Sequence, residues 1–320
     1  MKNKLIGLLV LVATFAFTGC SGNKDNTDAG NDQIKIGMTV QDLSNPTWSG
    51  YCKAIQTKAE ANGAKMSYVA CESNVSKQIM QIENFVARGV DVIIVHPADP
   101  AGIENACKEA MSRGVKILAW DDDIENADVR WLIDNYDLGY QVGKEASNFI
   151  NSKHGGTTEV AILNYPQLPV LLARGNGIRD SITKYAPNAK IIAETSAINP
   201  DEGITKMETI FQSNPDVKVV ACIGGGGSIG ANEAAKAAGK NAPDFGVFAV
   251  DATKPELDAI KNGEAVKMSM IVTGTDEDVA TQVYGFVEKL ATGVEVPARV
   301  YRNVIPVTAE NVDKYYTANR

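Results

Sequence analysis

KQIMQIENFVARGVDVIIVH, residues 77–96, changes its hydrophobic period halfway along. In the first part Ile79, Ile82, Phe85 and Val86 fall on one face of a helix, and Gly89 supplies the stop. In the second part Val90, Val92, Ile93, Ile94 and Val95 form a short run of β-branched residues with no polar face, the pattern of a strand buried on both sides. Helices alternating with such strands predict a parallel sheet in an α/β fold.

The same alternation extends in both directions. Upstream lie IKIGMTV from Ile34 and KMSYVAC from Lys65; downstream lies VKILAW from Val115. Beyond Asn135 it resumes with EVAILNY from Glu159, AKIIAET from Ala189, VKVVACI from Val217, FGVFAV from Phe245 and VKMSMIV from Val266. These are more strands than one ordinary sheet holds, and 320 residues suffice for two domains. No Pro/Gly-rich linker parts the halves, so the domains are expected to exchange strands and to connect at several points. Lys and Arg are scattered and the formal net charge is −8, which gives no basic footprint for nucleic acid.

The amino-terminal residues follow another pattern. Lys2 and Lys4 precede an apolar run from Leu5 to Phe17, and the run ends in Thr18-Gly19-Cys20. A basic start, a short apolar core and small residues describe an export signal, and the run is shorter than the ~20 residues of a membrane span. The ending resembles the bacterial lipobox, with Phe17 where Leu is usual. Residues 1–19 are therefore expected to be a lipoprotein signal peptide, with Cys20 lipidated and residues 20–33 a polar tether. An ordinary cleaved signal and an uncleaved anchor are the other readings. Cys52, Cys71, Cys107 and Cys222 match no zinc or CxxC spacing; buried thiols and a Cys52–Cys71 disulfide both remain open.

In open parallel sheets ligands sit beyond the carboxyl ends of the strands. The residues there are Asn45-Pro46-Thr47-Trp48, His96 to Asp99, Asp121-Asp122-Asp123, Tyr165-Pro166-Gln167, the Gly224–Gly227 run and Asp251. Polar groups recur at strand ends in both halves, as a cleft lined from two sides requires.

At these positions the chain resembles the ribose/galactose-type periplasmic binding proteins, the type I solute-binding family. The resemblance is collinear from Ile34 to about Val304. It is carried by QDLSNPTW after the first strand, DVIIVHPAD, VKILAWDDD, ARGNGIRDSI from Ala173, and VFAVDAT. It implies the type I periplasmic binding protein fold: two Rossmann-like parallel-sheet lobes joined by three crossover hinge strands, near Asp134–Asn135, Ile271–Thr273 and Val300–Asn303. The lobes would be residues 34–134 plus 272–302, and 135–271 plus 303–320. Carried residue by residue, the ligand positions are Asn45, Trp48, His96, Asp121, Asp122, Arg174, Asn199 and Asp251; for Asp122 a solvated loop role stands beside this one. Departures from the family pattern are Asp122-Asp123 where Arg is usual after Asp121, the glycines of 224–227 where Asn-Asp is usual, and Ile271 where Gln is usual.

The implied function is extracytoplasmic solute binding by a monomer held at a membrane through lipid on Cys20. The expected ligand is a monosaccharide or polyol and the expected partner the membrane permease of an ABC transporter; a sensing subunit for a receptor kinase or chemoreceptor is the alternative. Such a ligand presents a C–H face that Trp48 can cover, and hydroxyls for carboxylates and a guanidinium fork. Asp121 and Asp251, with Asp122 and Asp123 beside them, face the single cation Arg174, so a neutral ligand is expected. Four other readings attach to these residues. Gly226 to Gly230 matches GxSxG, but the only histidines, His96 and His154, precede Ser228, against the hydrolase order. The glycine run is otherwise a close backbone approach to ligand or facing lobe, or a phosphate cradle at a helix start. The three aspartates are also a calcium candidate. No catalytic residue, metal or cofactor is expected.

Overall fold

The structure, a computed structural model, describes residues 33–43 and 46–316. The signal and tether preceding Gln33, Cys20 and Asn45 lie outside the described residues. The chain begins β1 (Lys35–Val40), α1 (Pro46–Ala61), β2 (Lys65–Ala70), α2 (Val75–Ala87), β3 (Val92–Val95), α3 (Pro100–Ser112), β4 (Lys116–Asp121) and β5 (Val129–Leu132). It continues with α4 (Asn135–His154), β6 (Glu159–Asn164), α5 (Pro169–Tyr185), β7 (Lys190–Ser196), α6 (Pro200–Ser213), β8 (Val217–Cys222), α7 (Gly225–Ala237), β9 (Gly246–Val250), α8 (Lys254–Lys261) and β10 (Val266–Val272). It ends with α9 (Asp276–Ala291), β11 (Arg299–Tyr301), β12 (Val304–Val307) and α10 (Val312–Tyr315).

Two six-stranded sheets result, in the orders β11-β5-β4-β3-β1-β2 and β12-β10-β9-β8-β6-β7. Every pairing is parallel except β10 with β12. The chain passes between the sheets three times: after β5, between β10 and α9, and between β11 and β12. The passages are stitched together, since Arg302 N–H donates to Leu132 O at 2.8 Å and Thr273 N–H to Asn303 O at 2.7 Å.

All four residues of β3 are buried, as a run apolar on both faces demands. The helix before it packs Ile82 and Phe85 inward, and Asn74 caps its start by accepting the Lys77 N–H at 2.9 Å. Asp99 followed by Pro100 starts α3, and Asp134 starts α4, which ends at Gly155 with φ 60°. Trp120 and Trp131, both fully buried, fill the space between the first sheet and helices α1 and α9. Burying such side chains is the main favourable term, roughly 1.5–3 kcal/mol for each large apolar residue. Cys52, Cys71, Cys107 and Cys222 are buried free thiols, so the Cys52–Cys71 bridge does not form. Among the described residues no helix is long and apolar enough to cross a membrane.

Candidate ligand-binding site

On the first sheet's side the site starts from an aromatic stack. Trp48, in the first turn of α1, lies on His96, just past β3, with ring centroids 3.8 Å apart and planes 15° from parallel. Trp120 meets Trp48 edge-on at 5.0 Å. The His96 backbone is fixed by Thr39 O and Gln78 Nε2, both at 2.9 Å. The residue is 7% exposed, and its Nδ1 is buried without a hydrogen-bond partner among the described residues. Burial pushes the imidazole down to about 4; Asp121 pulls it up and Arg302 pushes it further down. His96 is therefore uncharged at neutral pH, and the stack presents an apolar slab.

The three aspartates have three different surroundings. Asp121 ends β4 with φ 66°, a left-handed conformation rare for a side-chain-bearing residue. Its Oδ1 takes the Arg302 Nη1 donor at 2.5 Å, and Arg302 Nε donates to Thr273 Oγ1 at 2.9 Å. Asp123 turns away to Arg130 and Arg299, at 3.3 and 2.6 Å. Among the described residues Asp122 has no ion pair; burial, then the neighbouring Asp121, holds its carboxyl above the usual range. Asp121 and Asp123 point to different arginines and Asp122 joins neither, and among the described residues no group of carboxylates converges as a calcium site requires.

The second sheet contributes Arg174, on α5. Its Nη2 and Nε donate to Asn135 Oδ1 at 2.6 and 3.2 Å, and Nη1 to Ile223 O at 2.7 Å. The α4 and α5 backbones touch here: a Cβ on Gly139 would sit 1.9 Å from Arg174 O. Burial lowers the Arg174 guanidinium from its ordinary value, while Asp251 and Asp121 both raise it. Arg174 thus lies within electrostatic range of carboxylates at the strand ends of both sheets. Asp251 follows β9 with φ 98°, and its Oδ2 accepts the Gly225 N–H at 2.8 Å.

Gly226 packs against the segment before α6, while a Cβ on Gly224 would meet only the Asp251 carboxylate, at 3.2 Å. A Cβ on Gly226 would lie 2.1 Å from Ile198 O, and one on Gly230 2.3 Å from Pro200 O. The glycines let α7 lie directly on the start of α6. Ser228 is fully buried and donates to Glu256 Oε1 at 2.6 Å, so it is no hydrolase nucleophile. The amino end of α7 is already filled by the Asp251 carboxylate, which removes the phosphate cradle. Asn199 caps α6, accepting the Glu202 N–H at 3.0 Å, and is exposed.

The structure thus brings Trp48, His96, Asp121, Arg174 and Asp251 into one electrostatically connected set, with Asp122 at its edge and Asn199 engaged in a helix cap. Arg302 was not among the residues singled out from sequence, and the site holds two cations where one was expected. Its only sequence signal is an arginine inside an expected crossover, between two β-prone stretches. Ile271, where the family's Gln was sought, is 2% exposed in the core of β10, and Thr273 is the residue that turns toward Asp121's partner.

The family model for the periplasmic binding protein domain matches residues 36–294. The chain belongs to this family, whose members are solute-binding proteins that act outside the cytoplasm. It is 27% identical over 266 residues to the ribose import binding protein of Bacillus subtilis (strain 168), covering 81% of this chain and 85% of that protein. It is 27% identical over 299 residues to the xylitol-binding protein of Mycolicibacterium smegmatis, covering 92% and 82%. Among solved structures, an arabinose-binding protein from Geobacillus stearothermophilus superposes with a TM-score of 0.76 at 19% identity, covering 89% of this chain and all of that one. The last likeness is one of fold.

Proposed function

We propose that the chain binds a neutral monosaccharide or polyol between its two lobes and delivers it to the permease of an ABC importer. The observation that carries this reading is the convergence of acceptors and donors around an uncharged slab. Asp121 and Asp251 come from opposite sheets, both sense Arg174, and Trp48 on His96 supplies an apolar plane. Hydroxyls donate to the carboxylates and accept from the guanidinium, and the C–H face lies on the indole. The relatives named for ribose and xylitol agree with this ligand class.

An anionic ligand fits less well. Arg302 is already paired with Asp121, Arg174 lies in the field of Asp251 and Asp121, and Asp122 adds an uncompensated carboxylate. The helix end that would take a phosphate is held by Asp251. The lobes, taken as residues 34–134 plus 272–302 and 135–271 plus 303–320, turn about the three passages. Export and lipidation at Cys20 hold a monomer near the membrane, and the protein performs no chemistry on its ligand. A thermal-shift panel tests the ligand class. D-Ribose, D-xylose, xylitol, D-allose and myo-inositol are compared with ribose 5-phosphate and D-glucuronate. At least one neutral compound should raise the melting temperature, because only the native state binds it. A larger rise with either anion than with every neutral compound overturns the reading.

A further inference from the structure

Arg302 is an unusual residue to find between two lobes. Its side chain is 4% exposed, on the short link between β11 and β12. The guanidinium lies 4.6 Å from the Trp131 ring centroid and 5.5 Å from that of Trp120, in cation–π range of both. A desolvated charge needs fixed partners, and each of them is a hinge or site residue. Nη1 reaches Asp121 at the end of β4, and Nε reaches Thr273 on the second passage. The Arg302 backbone N–H reaches Leu132 O at the first passage, and the next residue, Asn303, takes the Thr273 N–H. One arginine therefore touches all three inter-lobe passages and a candidate ligand residue at once.

We propose that Arg302 is a positioning residue that sets the orientation of the Asp121 carboxylate for ligand and ties that orientation to the three passages between the lobes. The proposal rests on reading Asp121 as a ligand contact. With Oδ1 clamped, the carboxylate cannot spin, and Oδ2 presents one acceptor direction to a hydroxyl. That constraint is what distinguishes one hydroxyl stereochemistry from another. The left-handed backbone at Asp121 (φ 66°) and at Thr273 (φ 74°) is held from both sides by the same guanidinium. Rotation of the lobes turns residues 302–303, so the geometry at Asp121 changes with the angle between the lobes. A lysine cannot replace this, since a point charge does not span Thr273 and Asp121 as a planar fork does.

The test uses Arg302→Met, which keeps an unbranched stem under the tryptophans, and Arg302→Lys. The first arm needs no ligand. The protein has two histidines, so their imidazole resonances are easily followed with pH. His96 titrates near 4, with Arg302 holding it down and Asp121 pulling it up. Arg302→Met should move His96 upward and speed amide exchange at Thr273. The second arm is calorimetry with D-ribose, D-xylose and xylitol. Arg302→Met should weaken the tightest of these about 30-fold or more, and Arg302→Lys about 10-fold, the latter with His96 nearly unmoved. Asp121→Asn should then cost less than about 3-fold in the Arg302→Met background, because coupled residues do not add. Wild-type affinity in both arginine variants, or full additivity with Asp121→Asn, overturns the proposal. If Arg302→Met fails to fold, Arg302→Lys decides between these outcomes. If no probe binds the wild type, the ligand class proposed above fails; the His96 shift and amide exchange then decide the clamp, an unmoved His96 in Arg302→Met overturning it.

Discussion

Trp48 lies flat on His96, and the His96 imidazole is kept uncharged by burial. A charged imidazole beneath the indole would bring water into the slab, so the two residues act as one surface. Trp48→Ala should reduce affinity for the bound neutral sugar by about 10–100-fold, in line with the loss of a buried aromatic contact. Calorimetry measures it, with an unchanged circular dichroism spectrum as the check on folding. Unchanged affinity would show that the slab does not meet the ligand.

Two buried titrating groups act in opposite directions on stability. His96 drops from 6.5 to about 4 on folding, so between those values the unfolded chain holds more protons and stability falls as pH falls. The size is about 3 kcal/mol across the window. Glu256, fully buried, rises from 4.5 to about 7, first through burial and then through Asp251. There the folded chain holds more protons, and stability falls as pH rises from about 4.5 to 7. The two slopes offset each other in the wild type. Relative to wild type, His96→Gln should gain stability as pH falls from about 6.5 to 4, and Glu256→Gln should gain it as pH rises from about 4.5 to 7. Urea unfolding at several pH values measures both differences; either sign reversed contradicts the burial argument.

Asp251 both faces the site and occupies the amino end of α7 through Gly225. Asp251→Ala should weaken neutral-sugar binding by about 10–100-fold and leave the Gly225 N–H without its acceptor. That N–H then becomes available to inorganic sulfate, which should raise the melting temperature of the variant more than that of the wild type. Equal sulfate effects on the two proteins would mean that Asp251 does not fill an anion position.

Two glycine-to-alanine changes should have opposite effects. At Gly226 the new methyl would meet Ile198 O at 2.1 Å, and separating α6 from α7 should cost about 2–4 kcal/mol. At Gly285, inside α9, nothing lies within 4 Å, and the gain in helix propensity should add about 0.5–1 kcal/mol. Chemical denaturation of both variants reads the difference. Equal stabilities would count against close α6–α7 contact as the role of the run.

The central parallel strands were legible because a strand buried on both faces announces itself in Val and other apolar residues, as in β3 and β9. The strands β5, β11 and β12 were not, since Arg130, Arg299 and Pro306 interrupt their short apolar runs. Pro306 in β12 also argues locally against a strand, and only its edge position beside β10 permits it. At the site, Asp121 and Asp251 were legible from their places after strands. Arg302 was not, because its partner Asp121 is 181 residues away and meets it only once both sheets exist. The glycine run was visible as a close approach, but the neighbour, the start of α6, is a tertiary fact.

The central claim is capture of a neutral solute by closure of two lobes about the three passages. Small-angle X-ray scattering tests it most directly, with and without saturating amounts of the neutral compound that gives the largest thermal shift. Closure should reduce the radius of gyration, and the reduction should vanish when ribose 5-phosphate replaces the neutral compound. Superimposable scattering curves with and without the saturating neutral ligand would contradict the account.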